Sequence, residues 1–181
     1  FSTVLNDTTA DPAMIAELLT LPSEIDLGQK MRQLDATGLH ATRDQLGSQL
    51  AEQNKKTILR RYEQLADDAP YSLEQSDKGR RRLRNVLLGY IAKLAIGEAT
   101  VKCHFDIANN MTDRMAALAL NSHSEFECRD AVLAAFYVNW ESDALVVDKW
   151  FAVQANSGRS DAIEQVKRLT EHRAFSLQNP N

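Results

Sequence analysis

At 181 residues with a formal charge of −4, the chain is long enough to bury a real core as one large domain or two small ones. It is too acidic for a general nucleic-acid binder, whose affinity rests on neutralising phosphates. A hydrophobic fraction of 44% and a mean hydropathy of −0.38 suit a globular protein, and no apolar run approaches the roughly 18 residues that span a bilayer.

The first residues, Phe1 to Asp7, lack the basic and then apolar pattern of a secretory signal. Asp11-Pro12 then reads as a helix start, with the aspartate as cap and proline in the first turn. Met14, Ile15, Leu18 and Leu19 give it an apolar face that Leu21-Pro22 ends. Ser23-Glu-Ile-Asp26 resembles a capping box, with the acid at the third helical position. Ile25, Leu27, Met31 and Leu34 follow, and Gly28 weakens that helix. From about Gly38 to Asp68 runs the longest periodic segment, with a stripe of Leu39, Leu46, Leu50, Ile58, Tyr62 and Leu65. The stripe is interrupted near Asn54, which predicts a kink or break, and Pro70 closes the segment.

Ser76 is the expected start of the next helix, where Leu83, Val86, Leu87, Tyr90, Ile91 and Leu94 recur at helical spacing. Gly97 reads as its end. A shorter helix from Glu98 to Ala108 carries Val101, Phe105 and Ile107. After the Asn109-Asn110 turn, Thr112 is the expected cap of a helix with Met115, Leu118 and Leu120.

The stretch from Leu133 to Trp150 holds both tryptophans and reads as the centre of the core. Leu133, Phe136, Tyr137 and Trp140 form one helical face, and Glu141, Ser142 and Asp143 make a polar turn. Leu145, Val146, Val147, Trp150, Phe151 and Val153 then leave almost no polar face, so that helix should have neighbours on several sides. A turn at Ser157 to Ser160 leads to a last helix capped by Ser160 or Asp161. Ile163, Val166 and Leu169 face inward there, and Phe175 tucks back over its end.

The fold class is therefore all-α, about eight to ten helices with short connections. Successive helices packed as antiparallel pairs make a HEAT- or armadillo-like superhelical array, and periodicity alone leaves an irregular helical bundle open.

Reactive groups do not converge. None of His40, His104, His123 and His172 opens a His-Glu-x-x-His zinc site, and Cys103 and His104, being adjacent on a helix, point about 100° apart. With only Cys103 and Cys128, reduced thiols are the ordinary reading and no disulfide framework exists. There is no Gly-x-Ser-x-Gly elbow and no Gly-x-x-x-x-Gly-Lys loop. Acid pairs such as Asp67-Asp68 read as solvated helix ends. No catalytic, cofactor-binding or metal-binding residue is assigned. The basic run Lys78-Gly-Arg80-Arg81-Arg82-Leu-Arg84 could contact an anion, a nucleic acid or a peptide carboxylate, but the net charge is negative and no aromatic residue interleaves the run for base stacking. Its arginines are expected to fan around the helix and pair with Glu74, Asp77 and neighbouring acids. Neither a nucleic-acid nor a membrane partner is expected.

Three segments in order, Asn109 to Leu118, Val147 to Ala155 and His172 to Asn181, resemble the C-terminal region of bacterial aminopeptidase N, a gluzincin-type zinc metallopeptidase. Weaker similarity covers Leu18 to Glu24 and Arg82 to Ile91. The resemblance implies a single, incomplete piece (residues 1–181) of a helical C-terminal domain, cytoplasmic, whose partner is the catalytic domain of the same parent chain. That domain covers the catalytic chamber and restricts access to short peptides. Zinc, its ligands, the general base and the Gly-x-Met-x-Asn element belong to an earlier domain, and no position here matches them. A free-standing helical-repeat interaction module is the alternative.

A helical stack cut at an internal repeat exposes an apolar face that further helices would cover. Sedimentation should therefore show self-association through the Phe175 end, or melting should show poor stability. A strictly monomeric and highly stable protein would contradict this.

Overall fold

The computed structural model describes residues 1–67 and 69–179; the Asp68 end of the long periodic segment and the final Pro180-Asn181 lie outside it. Ten α-helices and no strand occur among the described residues. They fall into two compact units, Phe1–Thr100 and Val101–Asn181.

The first unit holds α1 (Ser2–Asn6), α2 (Pro12–Leu19), α3 (Glu24–Gly28), α4 (Ala36–Gln64) and α5 (Gln75–Ile91). Its centre is α5, which packs against both α2 and α4. Leu83, Leu87, Leu88 and Ile91 are wholly buried there, against Ile15 and Leu19 of α2 and Ile58 of α4. Full burial of each such side chain contributes about 1.5–3 kcal/mol, so this stripe outweighs the weak intrinsic helicity of a short segment like α2. The most completely buried stripe is thus on α5, not in the tryptophan stretch that the sequence marks as the centre.

Asp11 caps α2, accepting from the Ala13 amide at 2.7 Å, with Pro12 in the first turn as expected. Its face is rotated from expectation. Ile15, Ala16 and Leu19 are buried, while Met14 and Leu18 are 61% and 62% exposed. A helix of 8 residues offers two overlapping apolar stripes, and only one meets α5. Ser23 caps α3 through the Asp26 amide at 3.1 Å, and its hydroxyl donates to the Asp26 carboxylate at 2.6 Å. That helix is one turn long and buries none of its residues.

Helix α4 runs unbroken for 29 residues through Asn54. The asparagine amide donates to the Leu50 carbonyl one turn back at 2.9 Å, and its oxygen accepts from Ser2 of α1 at 2.7 Å. Its polar groups are satisfied within the helix and by α1, so nothing forces a break. The helix ends at Gln64, ahead of Pro70.

Gly97 opens the next helix, α6 (Gly97–Ile107), rather than closing α5, which ends at Ile91. Here glycine answers a close backbone approach. A Cβ at this position would lie 2.6 Å from the Ala92 carbonyl oxygen and 2.8 Å from that of Ile91.

The second unit continues with α7 (Met111–His123), α8 (Arg129–Trp140), α9 (Ala144–Ala155) and α10 (Ala162–Thr170). Helix α9 packs against α7, α8 and α10, as its nearly continuous apolar sequence predicts. Val146, Val147, Trp150 and Val153 are buried, while Leu145 is 69% exposed. The Trp150 indole donates to the Leu133 carbonyl at 2.9 Å, tying α9 to α8. Phe136 of α8 is buried with its ring 6.5 Å from that of Phe105. Asn110, not Thr112, caps α7, accepting from the Asp113 amide at 3.0 Å. On α10, Leu169 is buried but Ile163 is 72% exposed and Val166 is exposed too, so only part of the expected face turns inward.

Replacing Gly97 with alanine should destabilise the protein by about 1–3 kcal/mol, since the obstacle is backbone that cannot swing aside. Gly89 lies inside α5 with open space where its Cβ would be, so Gly89→Ala should stabilise by about 0.5–1 kcal/mol. Urea unfolding of both variants reads the two signs.

Candidate functional site

Each unit presents one side-chain assembly worth building up. In the second unit the segment after α10 folds back over α8 and α9. His172 lies among three aromatic rings, with centroids 4.9 Å from Tyr137, 5.3 Å from Trp150 and 5.5 Å from Phe151. Its Nδ1 accepts from the Ala174 amide at 3.2 Å. Arg173 donates to the Tyr137 hydroxyl at 3.3 Å and pairs with Glu141. Phe175 stacks edge-on to Phe151 at 6.0 Å, so it does tuck back as expected. Asn179 donates to Asp148 at 2.8 Å. The segment leaves a cavity of about 270 Å³ over Phe151, Ala155, Val166 and Phe175.

In the first unit the basic run occupies the first half of α5, and its arginines fan around the helix. Arg80 pairs with Asp67 at 2.7 Å and Asp77 at 3.5 Å, and also donates to the Leu65 carbonyl at 3.0 Å. Arg82 pairs with Glu17 of α2. Arg81 is buried and donates to the Ser72 carbonyl at 2.7 Å, its guanidinium carbon 4.7 Å over the Tyr71 ring. Arg84 stands 4.7 Å over the Tyr62 ring. Pairing with acids therefore holds for Arg80 and Arg82, while Arg81 and Arg84 are held by tyrosines the sequence places outside the run. A second cavity, about 420 Å³ and mostly apolar, lies over Ile25, Gly28, Leu34 and Leu39.

The histidines and cysteines stay apart. His40 faces Glu24 at 2.8 Å on the surface, His104 is buried, and His123 lies 3.3 Å from the Val153 carbonyl. Cys103 is exposed where its neighbour His104 is buried, as adjacent helical positions require. Cys128 donates to Asn121 at 3.2 Å. Among the described residues no three His, Cys, Asp or Glu side chains are grouped to hold a metal ion.

One cluster of charges does have a strong electrostatic signature. Asp161, the cap of α10, accepts from Arg159 at 2.8 Å and from Gln165 at 3.2 Å. Those two hydrogen bonds, the arginine's first, hold its carboxyl down to about 2. Arg159 also reaches Glu125 and the Ser124 carbonyl, so it binds the α7–α8 connection to the start of α10.

Residues 1–181 match a family described as a domain of unknown function (DUF3458_C) with ARM repeats. The aminopeptidase N of Haemophilus influenzae is 37% identical over 180 residues, covering 99% of this chain and 21% of that protein. The aminopeptidase N of Escherichia coli is 35% identical over 183 residues, covering 100% of this chain and 21% of that protein. Among solved structures, Legionella pneumophila aminopeptidase A in complex with aspartic acid matches with a TM-score of 0.87 at 28% identity. That match covers 98% of this chain and 22% of the other. The chain thus spans about a fifth of the length of the relatives it matches.

A carboxyl whose folded-state pKa is lowered stabilises the fold above its ordinary value, and that stability is lost as pH falls through the folded-state value. For Asp161 the window runs from about pH 4 down to about pH 2. Asp161→Asn should therefore be less stable than the parent protein at neutral pH, and the gap should close across that window. Denaturant unfolding at stepped pH measures it.

Proposed function

Because this chain belongs to the DUF3458_C family of ARM repeats, we propose that it is a non-catalytic helical domain of an aminopeptidase N-type enzyme, covering the catalytic chamber and limiting entry to short peptides. The observation that carries this reading is the extent of the match. Essentially the whole chain aligns with about a fifth of each aminopeptidase N. A helical-repeat domain offers a stiff wall assembled from packed pairs, and such walls present extended surfaces without needing reactive side chains. The parent enzyme would release N-terminal amino acids in the cytoplasm, with zinc held by a separate catalytic domain of the same polypeptide. Peptides would meet this domain as a steric limit on the way in.

The side chains accord with a supporting role. Asp161 is spent on Arg159, His172 is enclosed by aromatic rings, and Arg80 and Arg82 are spent on acids of the same unit. None of these groups is aligned as a nucleophile with its base. No described helix is long and apolar enough to cross a membrane.

The purified protein should release no product from an alanyl chromogenic substrate, with or without added zinc. Zinc-dependent turnover by pure material would overturn the reading.

A further inference from the structure

On α5, Arg81 and Arg84 lie three residues apart and so share a face of the helix. Neither forms an ion pair with any described residue, whereas Arg80, one turn before Arg84 on the same side of the helix, and Arg82 both do. Like charges at this spacing repel, and a partly buried cation without a counter-ion is costly to keep. The fold nevertheless fixes both. Arg81 is clamped by the Ser72 carbonyl and the Tyr71 ring. Arg84 is half-buried and lies over the face of Tyr62; its Nε is shielded from solvent and has no acceptor among the described residues. A guanidinium stacked in this way loses its conformational freedom in advance, and with Nε enclosed it would meet a carboxylate through its two terminal nitrogens.

We propose that the Arg84–Tyr62 stack, with Arg81 beside it, is a docking site for a carboxylate presented by an acidic peptide segment. The site is independent of the chamber-covering role above and would stand if that role failed. A carboxylate fits better than a nucleic acid. A guanidinium already lies over one face of each tyrosine, no aromatic residue interleaves the basic run, and the chain as a whole is negative.

The test is a low-salt fluorescence anisotropy titration of the purified protein with a labelled, N-acetylated triglutamate peptide, and with triglutamine as its neutral counterpart. Triglutamate should bind and triglutamine should not. Arg84→Gln should weaken triglutamate binding by about tenfold, the loss expected for one charge-assisted, bidentate contact. Arg84→Lys, which keeps the charge but not the fork, should fall between. Lys78→Gln, an exposed cation of the same run, should change affinity less than twofold. Circular dichroism melting confirms that each variant is folded. If Arg84→Gln does not fold, Arg84→Lys decides, and unchanged affinity in that variant overturns the proposal. So does wild-type affinity in folded Arg84→Gln, or an equal loss in Lys78→Gln. Displacement of the peptide by inorganic phosphate at concentrations where acetate has no effect overturns the carboxylate assignment.

Discussion

A helix satisfies its own backbone hydrogen bonds but cannot cover its own apolar stripe, and this structure depends on how that stripe is covered on α5. Four of its side chains, Leu83, Leu87, Leu88 and Ile91, lose all contact with solvent between α2 and α4. Helix α2 exists because of that surface, and α1 packs in turn on α2 and α4. Helix α2 has 8 residues and α1 has 5, both too short to be stable in water unaided. Each is held by the apolar residues it contributes: Ile15 and Leu19 from α2, Leu5 from α1.

The second unit solves the same problem around α9, with a polar addition. Helix α9 has three neighbouring helices, so its apolar residues can point in several directions and still be buried. Packing of that kind fixes distance better than it fixes register along the axis. The Trp150 indole bonded to the Leu133 carbonyl, and the Ser122 and Ser157 hydroxyls bonded to the Val153 and Ser122 carbonyls, supply directional contacts inside the core. The aromatic group around His172 then ties the chain beyond α10 back onto the same pair of helices.

Scaffold and reaction machinery make opposite demands on polar side chains. A catalytic group must be placed at some cost to stability and left available, whereas a structural one is paired with a neighbour. Arg159 shows the second pattern, since it gathers Glu125, Asp161 and a main-chain carbonyl at one corner. Arg84 departs from it: it stacks on Tyr62 and forms no ion pair among the described residues.

The sequence by itself determined the all-helical class and several helix starts, because caps are local chemistry: Asp11 before Pro12 and Ser23 three residues before Asp26. It also carried the family resemblance in three ordered segments. Only the tertiary structure decided which apolar residues are inside. Met14 and Ile163 satisfy the same periodicity as Ile15 and Leu169 yet face solvent, because periodicity defines a stripe and not the neighbour that meets it. It likewise decided that Asn54 continues a helix, that Gly97 begins one, and that two tyrosines lie over Arg81 and Arg84. Each of these rests on a partner distant along the chain, or on how closely two turns of backbone approach, and neither can be read from spacing.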